Sequence, residues 1–246
     1  MLVREGDERN ETIDLWLASS LAAVAGALNA AAFYAVGFFS ANMTGNVSNL
    51  SDNLALGQWA TALFYFAILI AFVCGALCSA SLINAGRRRT RRIYAYAILI
   101  EAIVLTGVGC ADLWLARDWR ASVVVLGVAF AMGFQNAVGT RISGARVRTT
   151  HVSGLATDIG IELAATFNSR RQAEGEDGPA HSFARLRLQI CTVLSFLTGG
   201  VGGVMLYRGV GGYLLMLAAA ALFGIATSAI ARSRHPSLQA VAVIGE

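Results

Sequence analysis

Residues 60–85 have the sequence ATALFYFAILIAFVCGALCSASLINA, an apolar run without a single charged side chain. A helix needs about 20 such residues to cross a hydrocarbon layer ~30 Å thick, so this run predicts a membrane-spanning helix. Five more runs are long and apolar enough for the same prediction, at 15–39, 93–111, 121–140, 188–207 and 209–231. The sequence therefore predicts an all-α integral membrane protein with six transmembrane helices.

The composition agrees with this prediction. Of the 246 residues, 56% are apolar and only 14% are charged, whereas a soluble domain carries about 25% charged residues. This excludes an ordinary soluble enzyme, a disordered chain and a nucleic-acid binder. All 19 basic residues are arginines in short clusters between uncharged runs, so the net charge of +4 indicates membrane topology and no nucleic-acid partner.

Two further segments, 43–56 and 150–167, have helical character but are too short or too polar to cross a membrane alone. We predict that both are re-entrant or broken helices, which enter and leave on the same side. With cytoplasmic tails at 1–14 and 232–246, this arrangement places sixteen arginines inside and three outside. If both segments spanned the membrane, the count would be nearly even, so the positive-inside rule favours the re-entrant arrangement.

An internal repeat is visible in three blocks. The first is GALNA at 26–30 against GFQNA at 133–137, and the second is NMTGNVSNL at 42–50 against HVSGLATDI at 151–159. The third is FVCGALCS at 72–79 against FLTGGVGG at 196–203. We predict two repeats, 15–116 and 117–231, each with three spans and one short helix. Three is an odd number of crossings, so the repeats are expected to be inverted, which is typical of secondary transporters.

The blocks at 26–30, 42–46 and 133–137 resemble the bacterial YoaK/DUF1275 family. Residues 149–154, TTHVSG, are similar to a Thr-x-Val-Thr-Gly element of that family, with Ser153 in the position of the second Thr. The resemblance covers roughly residues 13–230. It implies a six-span protein of the bacterial inner (plasma) membrane, and it supplies neither a substrate nor an established site.

The motif chemistry suggests a site between the short helices. If both begin near mid-membrane, with Thr44 or Ser153 as N-cap, their unpaired N–H groups and partial positive charge point inward. Such helix ends bind anionic or carbonyl groups. The predicted substrate-binding residues are Asn42, Thr44, Gly45, Asn46, Asn49, His151, Ser153, Gly154 and Asp158. The alternative is that these motifs only cap buried helices.

Other polar residues are assigned supporting or coupling roles. Asn29, Gln135 and Asn136 lie in apolar spans, where their amides must find partners; we predict that they support the short helices. Asp158 and Glu162 stand where the first repeat has amides, and Glu101 is the one charge inside a main span. These three acids are candidates for coupling to a proton or cation. Alternatively, Asp158 and Glu162 face water or the arginines of 170–187.

The sequence contains no signature of catalysis, of a cofactor or of a metal site, and the four cysteines are interpreted as packing residues. The predicted partners are the lipid bilayer and a small polar or mono-anionic solute, with a homodimer left open. The predicted function is secondary transport. The alternatives are a gated channel and a membrane scaffold or sensor that signals through the cytoplasmic segment 168–187.

Overall fold

The structure is a computed structural model that describes residues 1–3, 5, 9–169 and 179–233. The described residues form eight α-helices. They are α1 (Glu11–Val36), α2 (Met43–Ala55), α3 (Trp59–Gly86), α4 (Ile93–Trp114), α5 (Arg117–Ser143), α6 (Val152–Ser169), α7 (Pro179–Val210) and α8 (Tyr213–Arg232). All of them except α2 and α6 are long and apolar enough to cross a membrane. The predicted fold class is confirmed, and the chain is a multi-pass helical membrane protein.

Some predicted boundaries are wrong by a few residues. The first span ends at Val36 instead of 39 because Gly37 has a φ of 79°, a left-handed conformation that ends the helix. The last span begins at Tyr213 instead of 209, after a turn at Gly211 with a φ of 59°. The predicted linker 168–187 is helical from Pro179 onward. Its part at 170–178 and the predicted tail from 234 onward lie outside the described residues.

Several helix interfaces occur in matching pairs, although the α4–α5 interface is far larger than its counterpart between α8 and α1. The largest interfaces join α1 to α7 and α3 to α5, while α2 packs on α3 and α6 packs on α7. On the other side of the bundle, α4 packs against α8 and α5. The helices α1 to α4 correspond in order to α5 to α8. Under this correspondence the α1–α7 interface matches α5–α3, and the α2–α3 interface matches α6–α7.

Glycines bring the backbones of α1 and α7 into direct contact. A Cβ on Gly26 would overlap the carbonyl oxygen of Phe196, and a Cβ on Gly199 would overlap that of Ala23. The apolar driving force between helices is weak in lipid, so close van der Waals contact at small residues drives their association. The third repeated block thus supplies one side of this interface and the first block supplies the other.

The α3–α5 interface has the same construction. A Cβ on Gly133 would overlap the carbonyl oxygen of Phe72, and a Cβ on Gly75 would overlap that of Phe130. Gly133, Phe72 and Gly75 occupy the positions that the sequence blocks align with Gly26, Phe196 and Gly199, and Phe130 is related to Ala23 by the same offset as Gly133 to Gly26. The glycine contacts of the two interfaces are therefore equivalent.

This packing predicts different effects for two glycines of α5. We expect Gly133→Ala to lower the free energy of unfolding by about 1–3 kcal/mol or more, because the added methyl group would force the α3 and α5 backbones apart. Nothing lies within 4 Å of a Cβ placed on Gly139, so Gly139→Ala should be neutral or stabilising by roughly 0.5–1 kcal/mol. Thermal unfolding of both variants in the same detergent measures the difference. Equal stability of the two variants would contradict the packing argument.

Candidate functional site

Asn29 anchors the segment that leads into α2. Its Oδ1 accepts a hydrogen bond from the backbone N–H of Ala41 at 2.8 Å, and its side chain is buried. Asn29 lies seven residues before Val36, the last residue of α1, which is about 10 Å along a helix. The chain therefore turns back along α1 by that distance before α2 begins. In addition, Phe39 stacks on Phe33 with ring centroids 4.1 Å apart.

Asn136 has the corresponding position in α5. It lies seven residues before Ser143, the last residue of that helix. Its Oδ1 accepts hydrogen bonds from the hydroxyl groups of Thr149 at 3.2 Å and Thr150 at 3.0 Å. The segment before α6 is thus also held about 10 Å back from the end of the preceding helix. The two-residue insertion between the repeated blocks falls in this segment, at 144–151.

The cap of α2 differs from the predicted one. The N-cap is Asn42, whose Oδ1 accepts a hydrogen bond from the backbone N–H of Gly45 at 3.1 Å. A Cβ on Gly45 would lie 2.5 Å from the Asn42 amide nitrogen, so this glycine makes room for the cap. Thr44 is therefore not the N-cap, and neither is Ser153, because α6 already begins at Val152. Asparagine is as good an N-cap as serine.

The beginnings of α2 and α6 line one cavity of about 1350 Å³, which we call the α2–α6 cavity. It is bounded by α1, by these two helix beginnings and by α3 and α7. Seven of the predicted site residues line it, namely Asn29, Asn42, Thr44, Gly45, His151, Ser153 and Gly154. Ser48 and Thr150 add two further hydroxyl groups.

The rest of the wall is apolar. It comes mainly from α3 and α7, with Phe72 and Phe196 at equivalent positions of the third repeated block. No aspartate, glutamate or arginine is among the residues described as lining the cavity. The sequence motifs alone do not identify this wall, because the Phe-x-x-Gly block also fits a helix-packing motif. Its recurrence in both halves was the signal that could have identified it.

His151 is the one titratable side chain among the described lining residues that changes charge near neutral pH. Desolvation lowers its pKa below the ordinary value of 6.5, and the positive charge of Arg148 lowers the pKa further. The imidazole is consequently neutral at pH 7. The cavity thus offers hydrogen-bonding groups at the two helix beginnings and no full charge.

The other predicted binding residues lie elsewhere. Asn46 is buried, and its amide donates a hydrogen bond to the carbonyl oxygen of Phe39 at 2.9 Å. Asn49 is exposed, with its backbone oxygen accepting a hydrogen bond from Asn53. Asp158 is half-buried and lines a second, arginine-rich cavity on the other side of the α6 beginning. These three residues do not share the α2–α6 cavity.

The remaining candidates are dispersed. Gln135 is fully buried and donates a hydrogen bond to the carbonyl oxygen of Leu21 at 3.1 Å, which ties α5 to α1. Glu162 pairs with Arg185 at 3.4 Å. Glu101 is buried in α4, and neither carboxyl oxygen has a hydrogen-bond partner among the described residues. The helix α4 contributes nothing to the lining of the α2–α6 cavity.

In the described part of the chain, no three His, Cys, Asp or Glu side chains lie close enough together to hold a metal ion. Cys74 and Cys78 are exposed on α3 as free thiols. Both lie on a helix with little of its surface buried in the bundle.

Comparison with known proteins identifies a family. The family model described as "Protein of unknown function (DUF1275)" matches residues 17–228, a range that includes every residue described as lining the α2–α6 cavity. No curated protein and no solved structure matches the chain. With most of its length matched by this one model, the chain belongs to the DUF1275 family.

Proposed function

We propose that this protein is a secondary transporter of a small polar or mono-anionic solute, and that the solute binds in the α2–α6 cavity. The observation that carries the proposal is that two separate helix beginnings, around Thr44 and Ser153, line one cavity. Both are held back from the ends of the preceding helices by asparagines. Interrupted helices that meet inside a membrane are typical of transporter sites.

The chemistry of the wall supports a solute with a polar head and an apolar body. A helix N-terminus favours a nearby anion by ~0.3–1 kcal/mol, and by up to ~2 kcal/mol when partly buried. Two such ends can bind a carboxylate or a carbonyl group. The described lining provides no arginine as a counter-charge, which disfavours a phosphate. Phe72, Phe196 and their apolar neighbours would contact the body of the solute.

The proposal includes an inverted repeat. The equivalence of the α1–α7 and α5–α3 interfaces, including their glycines, supports a twofold relation between the halves. With three spans in each half, that relation makes the halves opposite in orientation. Movement of one half against the other would expose the cavity alternately to each side. The proposed location is the plasma membrane, with both termini cytoplasmic, as the arginine count favours.

The inverted topology predicts that equivalent positions label from opposite sides. Ala55 and Ala164 are both exposed and are related by the offset of the second repeated block. On a cysteine-free background, Ala55→Cys should react with an impermeant thiol reagent from outside, and Ala164→Cys only after the cytoplasmic side is opened. Intact and permeabilised cells provide the comparison. Labelling of both from one side would exclude the inverted arrangement.

A second prediction concerns the cavity. Nothing lies within 4 Å of a Cβ placed on Gly154 or on Gly160, so valine fits the fold at both positions. Of these two glycines, only Gly154 lines the α2–α6 cavity. Gly154→Val should therefore abolish uptake, or raise the apparent Km by about tenfold or more, because a side chain of this size occupies space next to the helix beginning.

The measurement is concentrative uptake into proteoliposomes, first screened with wild-type protein against amphipathic monocarboxylates and neutral amino acids. The control Gly160→Val introduces the same β-branched residue into the same helix, with the same loss of helix propensity. It should transport normally. In parallel, Ser153→Cys should react with a hydrophilic thiol reagent. A scaffold predicts a dry cavity with no such reaction, and a gated channel predicts flux without accumulation. Normal uptake by Gly154→Val would refute the proposed site.

The lowered pKa of His151 predicts how transport depends on pH. The imidazole is neutral at pH 7 and becomes protonated only below its ordinary pKa of 6.5. Protonation adds a positive charge to the cavity, so the apparent Km for a mono-anionic solute should fall between about pH 7.5 and about pH 5.5. The variant His151→Gln should have the wild-type Km at the higher pH, and its Km should not fall when the pH is lowered. An unaltered pH profile in this variant would contradict the role of His151.

A further inference from the structure

We propose that the arginine-rich cavity is a second binding site, separate from the α2–α6 cavity, for a small oxyanion that also carries a hydroxyl group. This cavity has a volume of about 790 Å³, within the range of small-molecule sites. It lies between the beginning of α1, the α5–α6 segment, one face of α6 and the early part of α7. Binding there is independent of whether the protein transports a solute.

The charges that line the cavity favour an anion. Five arginines line it against three carboxylates. The arginines are Arg9, Arg146, Arg148, Arg185 and Arg187, and the carboxylates are Glu11, Asp14 and Asp158. The α2–α6 cavity has no such residue in its described lining, so the two cavities differ in the chemistry of the ligand they can hold.

Part of this positive charge is already neutralised. Asp14 is 4% exposed and pairs with both Arg9 and Arg146, the latter at 3.0 Å. Arg185 pairs with Glu162 at 3.4 Å. Arg148 and Arg187 form no ion pair with any described residue, and both line the cavity. These two guanidinium groups are available to an oxyanion, which arginine binds through paired N–H donors.

A buried amide gives independent support. Gln189 lines the same cavity, and its side chain is 7% exposed. Its Oε1 accepts no hydrogen bond from the described part of the chain. A buried acceptor without a donor is unfavourable, and a ligand hydroxyl would satisfy it when the amide turns toward the cavity. A hydrogen phosphate or a hydroxy acid has both the negative oxygens and the hydroxyl donor that this site lacks.

The cavity also borders the proposed transport site. Ser153 and Gly154, at the beginning of α6, line the α2–α6 cavity, while Leu155 and Asp158, in the next turn, line the arginine-rich cavity. A ligand in the second cavity would therefore contact the helix that forms one end of the first. The site is in a position to affect that helix from the side predicted to be cytoplasmic.

Inorganic phosphate is the probe for the test. The full chain is purified in detergent without phosphate, and its Tm is followed as phosphate is added at constant ionic strength with chloride. A ligand that binds only the folded state raises the Tm. We expect the Tm of the wild type to rise with phosphate. The variant Arg148→Gln/Arg187→Gln should need at least about tenfold more phosphate for the same shift.

The matched control is Arg88→Gln/Arg89→Gln, which removes two exposed arginines from the α3–α4 turn, outside the cavity. It should respond as the wild type does. Gln189→Met conserves side-chain volume and removes the acceptor. The wild type should be stabilised more by phosphate than by sulfate, which has no hydroxyl donor, and Gln189→Met should lose this preference.

The phosphate group could belong to a soluble molecule or to a lipid. A second arm therefore compares nanodiscs of phosphatidylglycerol with nanodiscs of phosphatidylcholine. If the Tm increase occurs only with the anionic lipid and is lost in Arg148→Gln/Arg187→Gln, the ligand is a lipid headgroup and the proposed chemistry stands. The proposal is overturned if phosphate and anionic lipid raise the Tm of Arg148→Gln/Arg187→Gln as much as that of the control Arg88→Gln/Arg89→Gln. It is also overturned if neither raises the Tm of any of the proteins.

Discussion

The rest of the structure depends on direct backbone contact between helices at glycine. Gly26 and Gly199 allow α1 and α7 to touch, and Gly75 and Gly133 do the same for α3 and α5. In lipid, where no hydrophobic effect holds helices together, such contacts have a large share in setting the spacing of the spans. Because α2 is packed on α3 and α6 on α7, these contacts also determine how far apart the two short helices lie. The cavity between the beginnings of those helices is a consequence of this spacing.

A second constraint determines how deep the short helices begin. Unpaired backbone groups are costly inside a membrane, so the chain can leave a helix there only if side chains replace the lost hydrogen bonds. Asn29 accepts such a bond from a backbone N–H, whereas Asn136 accepts bonds from two side-chain hydroxyl groups. The same residue type at corresponding positions of two helices thus anchors the chain that leads into each short helix. The polar ends of the cavity and the inward turn of the chain have the same origin.

The six spans, the two short helices and the aligned glycines could be predicted from the sequence, because apolar length and recurrent blocks are local properties. The end of α1 at Val36 was harder, since it depends on the left-handed conformation of Gly37. Among the predicted binding residues, those within two positions of a helix beginning share one cavity. Asn46, Asn49 and Asp158 do not, because further along the helix the orientation of a side chain depends on the neighbouring helix. That neighbour is α3 for α2 and α7 for α6, a pairing that no short motif encodes.

The distribution of charge around α6 adds a further step to the mechanism. The first residues of this helix lie against an uncharged cavity, and the next turn lies against the arginine-rich one. A displacement of α6 that changes one cavity also changes the other, because the first two turns of the same helix form both walls. If the ligands of both cavities prefer particular positions of α6, each ligand changes the affinity for the other by the same factor. If the arginine-rich cavity binds an anion as proposed, the two halves would differ in their response to anions although they are similar in packing. The response would then come from the side predicted to be cytoplasmic.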